Sequence, residues 1–245
     1  MTESDPTSTD VRFRSDMVVD LVKHSAADSD VVFAARVSTR GARSQADIDA
    51  DADQHAGLIN FLMRDRHGSP FEHSVFTFYV EAPIFVWREH MRHRIASYNE
   101  ESGRYTVLEP VFYLPDAQRH LVQAGKPGAY VFAAGTPAQY QRLVARSRRV
   151  CEVAYAAYLE SLDDGLAREV ARMDLPVRLY SSAYVTMNAR ALMNFLSLRV
   201  KDDAARFPSF PQREIELVAE AYEREFARLM PVTHAAFVRN GRIAP

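Results

Sequence analysis

Residues 92–105 read RHRIASYNEESGRY and place three cationic or titratable side chains directly before a dense run of polar ones. Arginine presents paired donors in a rigid plane, which suits the recognition of phosphate or carboxylate groups. The carboxylates of Glu100 and Glu101 lie within the same run, and they would repel a nucleic-acid backbone. This mixture of charges favours one shaped ligand that carries both a phosphate and a polar ring.

A charged run of this kind is more often a solvated helix face with scattered ion pairs, and the neighbouring residues argue against that interpretation. Apolar side chains recur at helical spacing at Ile84, Trp87, Met91 and Ile95. The spacing predicts a helix that runs through Arg92, with Arg88 one turn earlier on a neighbouring face. Gly103 then permits a tight turn. A buried helix that ends in cations and leads into a polar turn is typical of the wall of a binding site.

Composition limits the class of protein. The chain has 245 residues, a net charge of −2 and an apolar fraction of 47%, so it predicts a globular protein with no general attraction for nucleic acid or anionic membranes. The polar, acidic residues 1–10 predict a disordered tail without a signal peptide, and residues 11–245 are expected to form a single domain. No apolar run approaches the length of a membrane helix, and the expected location is cytoplasmic.

Periodicity and breaker residues predict a mixture of helices and strands. Predicted strands cover residues 17–22, 74–81, 111–114 and 177–187. Predicted helices cover residues 28–38, 55–66, 137–162, 167–173, 211–230 and 231–240, with one more that Asn188 caps and that runs to Arg199. Residues 41–53 and 207–211 are expected to be loops and residues 115–135 to be irregular. The elements lack regular βαβ alternation, and no GxGxxG loop is present, so the expected class is α+β without a dinucleotide-binding fold.

The central stretch resembles a known family. Arg92-His93-Arg94, Ser97, Asn99-Glu100, Ser102 and Arg104 resemble the signature of the flavin-dependent thymidylate synthases. Further similar stretches are HGSPFEH at 67–73, APIFV at 82–86, REVAR at 168–172 and VTMNARALMNFLSLR at 185–199. The resemblance covers roughly residues 18–240. It implies methylation of dUMP to dTMP, with 5,10-methylenetetrahydrofolate as the carbon donor and NADPH as the hydride source through FAD.

The resemblance also implies roles for individual residues. The residues implied for FAD are Ser69, Arg92, His93, Arg94, Glu100, Asn188, Arg190 and Asn194. The residues implied for dUMP are Glu89, Arg92, Ser102, Arg104, Arg172 and Arg199, with Ser102 and the arginines on the phosphate. His67 is implied to line the open face where folate and nicotinamide exchange. The implied fold is a mostly antiparallel sheet flanked by helices, with each site assembled between subunits of a homotetramer.

Arg199 is the implied catalytic residue. An arginine beside the uracil N3 would favour the ionised imide, because an opposite charge at contact distance stabilises the anion. Taken without the resemblance, Arg199 is better explained as a helix-terminal cation that pairs with Asp202 or Asp203. Asn188 and Asn194 are likewise compatible with ordinary capping and surface hydrogen bonding.

Cys151 is the only cysteine, and it lies in VCEVAYAAY at a position whose helical spacing predicts core packing. A thymidylate synthase with this sequence is therefore expected to work without an enzymatic cysteine nucleophile. His67 and His73 are six residues apart, which does not match a metal-binding pair on one helix face, and no metal is expected.

The segment 201–211 departs from the family pattern. Many members carry a His shortly after the Arg199 position, followed by a Gln-x-Glu-Ile run. Here the run is present at 212–215, but the segment before it is longer and lacks a His. Two alternatives therefore stay open: a FAD-binding protein of the same fold with altered or lost substrate specificity, and a nucleic-acid-binding module built on the Arg- and Tyr-rich stretch.

Overall fold

The computed structural model describes residues 10–41, 55–126 and 129–245. The strands are β1 (Arg12–Arg14), β2 (Val18–Ser25), β3 (Val75–Pro83), β4 (Ser97–Glu100), β5 (Val111–Tyr113), β6 (His120–Lys126), β7 (Ala129–Ala134) and β8 (Tyr180–Asn188). The helices are α1 (Asp28–Arg40), α2 (His55–Arg64), α3 (Ile84–His90), α4 (Pro137–Asp163), α5 (Arg168–Ala171), α6 (Ala189–Arg199), α7 (Arg213–Leu229) and α8 (Pro231–Arg239). The predicted disordered tail, apart from Asp10, and nearly all of the predicted loop 41–53 lie outside the described residues.

The chain divides into two compact units. Of the described residues, the first unit comprises 10–16, 82–87, 100–126 and 129–182, and the second comprises 17–41, 55–81, 88–99 and 183–245. The prediction of one domain over residues 11–245 stays a prediction.

In the first unit, the core is formed around the long helix α4. Thr136 caps this helix, because its hydroxyl accepts from the Gln139 amide and the Gln139 side chain accepts in return from the Thr136 amide. Cys151, Tyr155 and Tyr158 on one face of α4 are buried against Phe112 of β5. The predicted core position of Cys151 is confirmed. Strand β5 pairs in parallel with β1.

In the second unit, α7 covers a four-stranded sheet with the strand order β2-β3-β8-β4. The β2–β3 pair is antiparallel. Helix α7 buries a face at helical spacing, and Tyr222 and Phe226 on that face meet Phe78 and Phe76 of β3. The Phe78 and Tyr222 ring centroids are 4.3 Å apart, and both side chains are fully buried. The predicted class of helices with an antiparallel sheet is confirmed.

One predicted irregular segment is regular. Residues 115–135 contain the antiparallel hairpin β6–β7, so the prediction of irregular structure there was wrong. Gly and Pro residues suggested a loop, but the run Tyr130-Val131-Phe132 has the aromatic and β-branched character of a strand. Strand propensity therefore prevailed over the breaker residues.

The predicted helix through Arg92 was also wrong, because α3 ends at His90. The amides of Arg92 and His93 donate to the carbonyls of Glu89 and His90, three residues back. Bonds of this spacing are typical of a 3₁₀-type turn, and the chain leaves the α-helix here. Ile95, which was expected to continue the apolar stripe, is 74% exposed. Arg92 therefore lies in a turn, and Arg88 and Arg92 do not share a helix face.

A part-buried ion cluster ties α7 to the C-terminal residues of the second unit. Both Glu223 carboxylate oxygens accept from Arg242, at 2.8 and 2.7 Å, and His234 Nε2 lies 2.8 Å from Oε1. Burial by itself raises the pKa of Glu223, but the bonds from His234 and Arg242 outweigh it and lower the pKa from 4.5 to about 2.

This cluster makes part of the stability sensitive to acid. Because the folded-state pKa of Glu223 is depressed, its contribution is complete above pH ~4.5 and is lost as the pH falls towards 2. The shift corresponds to a contribution on the order of 3 kcal/mol. Urea unfolding of Glu223→Gln should show lower stability at pH 7 and a weaker loss of stability below pH 5 than the unsubstituted protein.

Glu225→Gln is the matched control, because Glu225 pairs with the exposed Arg228 three residues later on the same helix. Its effect at pH 7 should stay below about 1 kcal/mol. Equal pH profiles for the two variants would contradict the role of the Glu223 cluster.

Candidate active site

A cavity of about 640 Å³ lies within the second unit, between the turn that follows α3 and one face of α6. Its lining residues are Glu89, Arg92, His93, Arg94, Ile95, Ala191, Asn194, Leu198 and Arg199. Three arginines against one carboxylate give the cavity a positive balance, which suits an anionic ligand. The structure thus brings together six of the residues that were predicted for the site, in one cavity.

Arg199 is held at the end of α6 by two partners. Its Nη1 donates to Glu89 Oε2 at 2.8 Å, and its Nε donates to His93 Nε2 at 3.1 Å. The alternative pairing with Asp202 or Asp203 is not what the structure shows: Asp202 lies 3.7 Å from Arg242, and Asp203 lies 4.0 Å from Lys201. The guanidinium is therefore oriented into the cavity wall by contacts more than 100 residues away in sequence.

The hydrogen bond from Arg199 fixes the state of His93. A guanidinium has no acceptor, so His93 Nε2 must accept, and the ring proton lies on Nδ1. Burial, with the neighbouring Arg199 charge, lowers the pKa of His93 to about 4. His93 is therefore neutral near pH 7 and adds no charge that would repel Arg199.

Helix α6 supplies the other wall of the cavity. Asn188 caps the helix, since its Oδ1 accepts from the Ala191 amide at 2.8 Å. Ala191, Asn194 and Leu198 are spaced by three and four residues, so they form one face of α6 along the cavity. The sequence prediction missed Ala191 and Leu198, although their shared helix face with Asn194 was a usable signal. It also missed Ile95, which had been assigned to a helical stripe.

A second group of predicted residues surrounds Gly68 and lies outside the cavity lining. Arg190 donates from Nη1 to Glu72 Oε1 and from Nε to the Pro245 backbone oxygen, both at 2.6 Å. A Cβ at Gly68 would lie 2.5 Å from Arg190 Nε and 2.8 Å from the Pro245 backbone oxygen, so a side chain at this position would have to displace the Arg190 guanidinium or Pro245. Ser69 and His67 flank Gly68, and the His67 ring stacks on Phe61.

A third group lies in the first unit, around Gly103. The Ser102 hydroxyl accepts from the Arg104 amide, and Arg104 Nε donates to Glu169 at 2.7 Å. A Cβ at Gly103 would lie 2.8 Å from Leu108 Cδ1 and 3.3 Å from Arg172 Cδ, so the Arg172 side chain lies close to the Gly103 backbone. The structure thus brings three predicted phosphate-binding residues together. Glu100, also in this unit, accepts from the Ser181 hydroxyl.

Along residues 10–41, 55–126 and 129–245, no group of three or more His, Cys, Asp or Glu side chains is placed to hold a metal ion. None of the helices in these ranges combines the length and apolar character needed to cross a bilayer.

Comparison with known proteins supports one family. Residues 20–232 match the family model described as thymidylate synthase complementing protein. The chain is 60% identical over 236 residues to a flavin-dependent thymidylate synthase of Streptomyces coelicolor, which covers 96% of each chain. It is 59% identical over 233 residues to the protein of the same name from Tropheryma whipplei, covering 95% of this chain and 97% of the relative.

A solved structure is similar in fold. The crystal structure of the UMP/dUMP methylase PolB from Streptomyces cacaoi bound with 5-Br UMP is 52% identical, with a TM-score of 0.88. The match covers 96% of this chain and all of that chain. The corresponding structure bound with 5-Br dUMP matches with a TM-score of 0.89. These matches span nearly the whole sequence, and the chain therefore belongs to the flavin-dependent thymidylate synthase family.

Proposed function

We propose that the protein methylates dUMP to dTMP, with 5,10-methylenetetrahydrofolate as the carbon donor and NADPH as the reductant through FAD. The observation that carries the proposal is the cavity in which Glu89 and a neutral His93 orient Arg199. Family membership supplies the reaction class, and the cavity supplies a charged donor suited to a uracil ring.

The cavity fits part of a flavin nucleotide. Its volume of about 640 Å³ lies within the range of roughly 300–1,000 Å³ that is usual for small-molecule sites. Ile95, Ala191 and Leu198 offer apolar contact for a ring system, while Arg92 and Arg94 offer donors for phosphate. Bound FAD would accept a hydride from NADPH and, once reduced, donate one in the methylation reaction.

FAD binding is assigned to residues inside and outside the cavity. In the cavity these are Arg92, His93, Arg94 and Asn194. Ser69, Asn188, Arg190 and Glu100 are assigned by the family resemblance. Arg190 is the strongest of the four, since its guanidinium is anchored by Glu72 and lies directly against the Gly68 backbone.

Arg199 would act on the uracil ring through charge. A guanidinium beside N3 lowers the free energy of the ionised imide and of charge that develops on the ring in the transition state. Glu89 and His93 hold two of its nitrogen atoms, so the side chain does not have to reorganise when substrate arrives. Because His93 is neutral near pH 7, it does not repel the positively charged Arg199.

The phosphate of dUMP is assigned to Ser102, Arg104 and Arg172. These side chains meet around Gly103, and arginine forks match a phosphate by paired hydrogen bonds. Arg104 is bound to Glu169 in the structure, at an exposed position where such a pair is weak. A phosphate with two negative charges would therefore displace Glu169 at little cost.

The chain offers no evident cysteine nucleophile. Cys151 is fully buried in the core of the first unit, and burial raises the pKa of its thiol. A buried, protonated thiol neither reaches the uracil C6 nor attacks it. This supports a route in which Arg199 polarises the ring and no enzyme sulfur adds to it.

We also infer a homotetramer with shared active sites. The cavity, the residues around Gly68 and the residues around Gly103 each provide only some of the side chains assigned to dUMP and FAD. The family resemblance assigns these side chains to different subunits. His67, next to Gly68, is assigned to the open face where folate and nicotinamide exchange.

The direct test is product formation by the purified protein. dUMP, 5,10-methylenetetrahydrofolate and NADPH should give dTMP only when FAD is bound. UMP should be assayed in parallel, because the solved relative is a methylase of both UMP and dUMP. Bound FAD without product from either nucleotide would favour the alternative of altered or lost substrate specificity.

Arg199→Ala should lower kcat/KM for dUMP by about 10²-fold, which corresponds to a loss of about 3 kcal/mol of transition-state stabilisation. The physical reason is the loss of one charged donor at the ring. Arg239→Ala, at an exposed position at the end of α8, is the control and should keep full activity. An Arg199→Ala enzyme with normal turnover would contradict the assigned role.

Cys151→Ala should keep kcat within a factor of about three, because the proposed route has no covalent step through this thiol. Its free energy of unfolding should fall by about 1 kcal/mol, since one buried atom is removed from a packed core. A folded variant that forms no dTMP would rule out the cysteine-independent route.

A further inference from the structure

His90 lies directly behind the cavity turn and contacts two tyrosine hydroxyls. It is the last residue of α3 and only 1% exposed. Its Nδ1 lies 3.3 Å from the Tyr98 hydroxyl oxygen, and its Nε2 lies 2.9 Å from that of Tyr222. None of the three residues lines the cavity, so the family signature and the cavity leave them without a role.

The hydrogen bonds among these residues can run in only one direction. The Tyr98 hydroxyl lies 2.9 Å from the His93 carbonyl oxygen and 3.2 Å from the His90 carbonyl oxygen. A carbonyl only accepts, so the single hydroxyl proton of Tyr98 is used there. Towards His90 the Tyr98 oxygen must therefore accept, which requires the proton of the His90 ring to lie on Nδ1.

The rest of the chain follows from that tautomer. A neutral imidazole with its proton on Nδ1 has an acceptor at Nε2, so Tyr222 donates to His90. Burial lowers the pKa of His90 to about 3, which keeps the ring neutral, and burial raises the pKa of Tyr98 to about 12, which keeps its hydroxyl protonated. The order is Tyr222 to His90, His90 to Tyr98, and Tyr98 to the His93 carbonyl.

This chain ends on the turn that carries the cavity residues. Met91 and Ile95 are exposed and give the turn no buried apolar anchor. The turn meets the core through the Tyr98 hydroxyl on the His93 carbonyl and through the Phe195 ring, whose centroid lies 4.5 Å from that of His93. His93 also accepts from Arg199, so the Tyr98 hydroxyl is one of the contacts that set the position of His93 and the geometry of the Arg199 bond.

We infer that His90 and Tyr98 are positioning residues for this site: the Nδ1-protonated His90 ring directs the Tyr98 hydroxyl onto the His93 carbonyl and so holds the turn 91–96 in place. The expected change in FAD affinity rests on the proposed function, whereas the expected ordering of residues 91–96 does not.

The test compares two tyrosine-to-phenylalanine variants. Tyr98→Phe keeps the ring and removes only the hydroxyl. Tyr155→Phe is the matched control, because its buried hydroxyl also donates to a backbone carbonyl, that of Leu108 at 3.1 Å, and neither residue lines the cavity. Hydrogen exchange of the peptide 91–97 and the dissociation constant for FAD are measured for both variants.

Tyr98→Phe should exchange faster over residues 91–97 and should raise the FAD dissociation constant roughly two- to tenfold, as expected for the loss of one positioned hydrogen bond. Tyr155→Phe should change neither quantity. Exchange over 91–97 that equals that of the unsubstituted protein would overturn the inference. Absence of FAD binding by the unsubstituted protein would instead defeat the proposed function, while the exchange measurement would still decide the role of Tyr98.

Two substitutions of His90 test the tautomer. The side-chain amide nitrogen of His90→Asn can occupy the place of Nδ1 and still donate to Tyr98, whereas the amide of His90→Gln reaches the place of Nε2. His90→Asn should therefore protect the peptide 91–97 better than His90→Gln. If His90 only fills space, the larger glutamine should protect it better, and that order would overturn the assignment.

Discussion

The bond from Arg199 to a neutral His93 is the interaction on which the arrangement of the cavity depends. Arg199 is partly buried, and a guanidinium removed from water needs acceptors for its nitrogen atoms. Glu89 supplies a charged acceptor, and His93 supplies an uncharged one. A second carboxylate in place of His93 would have cancelled the positive charge of Arg199, and a protonated histidine would have repelled the arginine.

The neutral state of His93 in turn depends on packing. Its ring lies against Phe195, which is fully buried on the inner face of α6. The same helix carries Asn194 and Leu198 on its cavity face and Arg199 at its end. Helix α6 therefore buries His93, which lowers its pKa, and also carries Arg199, which donates to it. A shift of α6 by a fraction of a turn would disrupt both effects.

The sequence predicted α6 well because its signals are local: a capping asparagine, a helical period and a terminal cation. It did not predict the partners of Arg199, since Glu89 and His93 lie more than 100 residues away and the nearby Asp202 and Asp203 offered a plausible local pairing. The end of α3 was missed for a related reason. Periodicity treats Ile95 as a fourth apolar position, and only the tertiary structure shows that nothing covers it.

The two groups outside the cavity share a way of bringing an arginine to the backbone. At Gly68 an added Cβ would lie 2.5 Å from Arg190 Nε, and at Gly103 it would lie 2.8 Å from Leu108 Cδ1 and 3.3 Å from Arg172 Cδ. Neither glycine has a positive φ, so what requires glycine is close approach and not conformation. An arginine pressed against bare backbone loses rotamer freedom before any ligand arrives, and the ordering cost on binding falls accordingly. Both glycines would in this way support the binding roles proposed for Arg190 and Arg172.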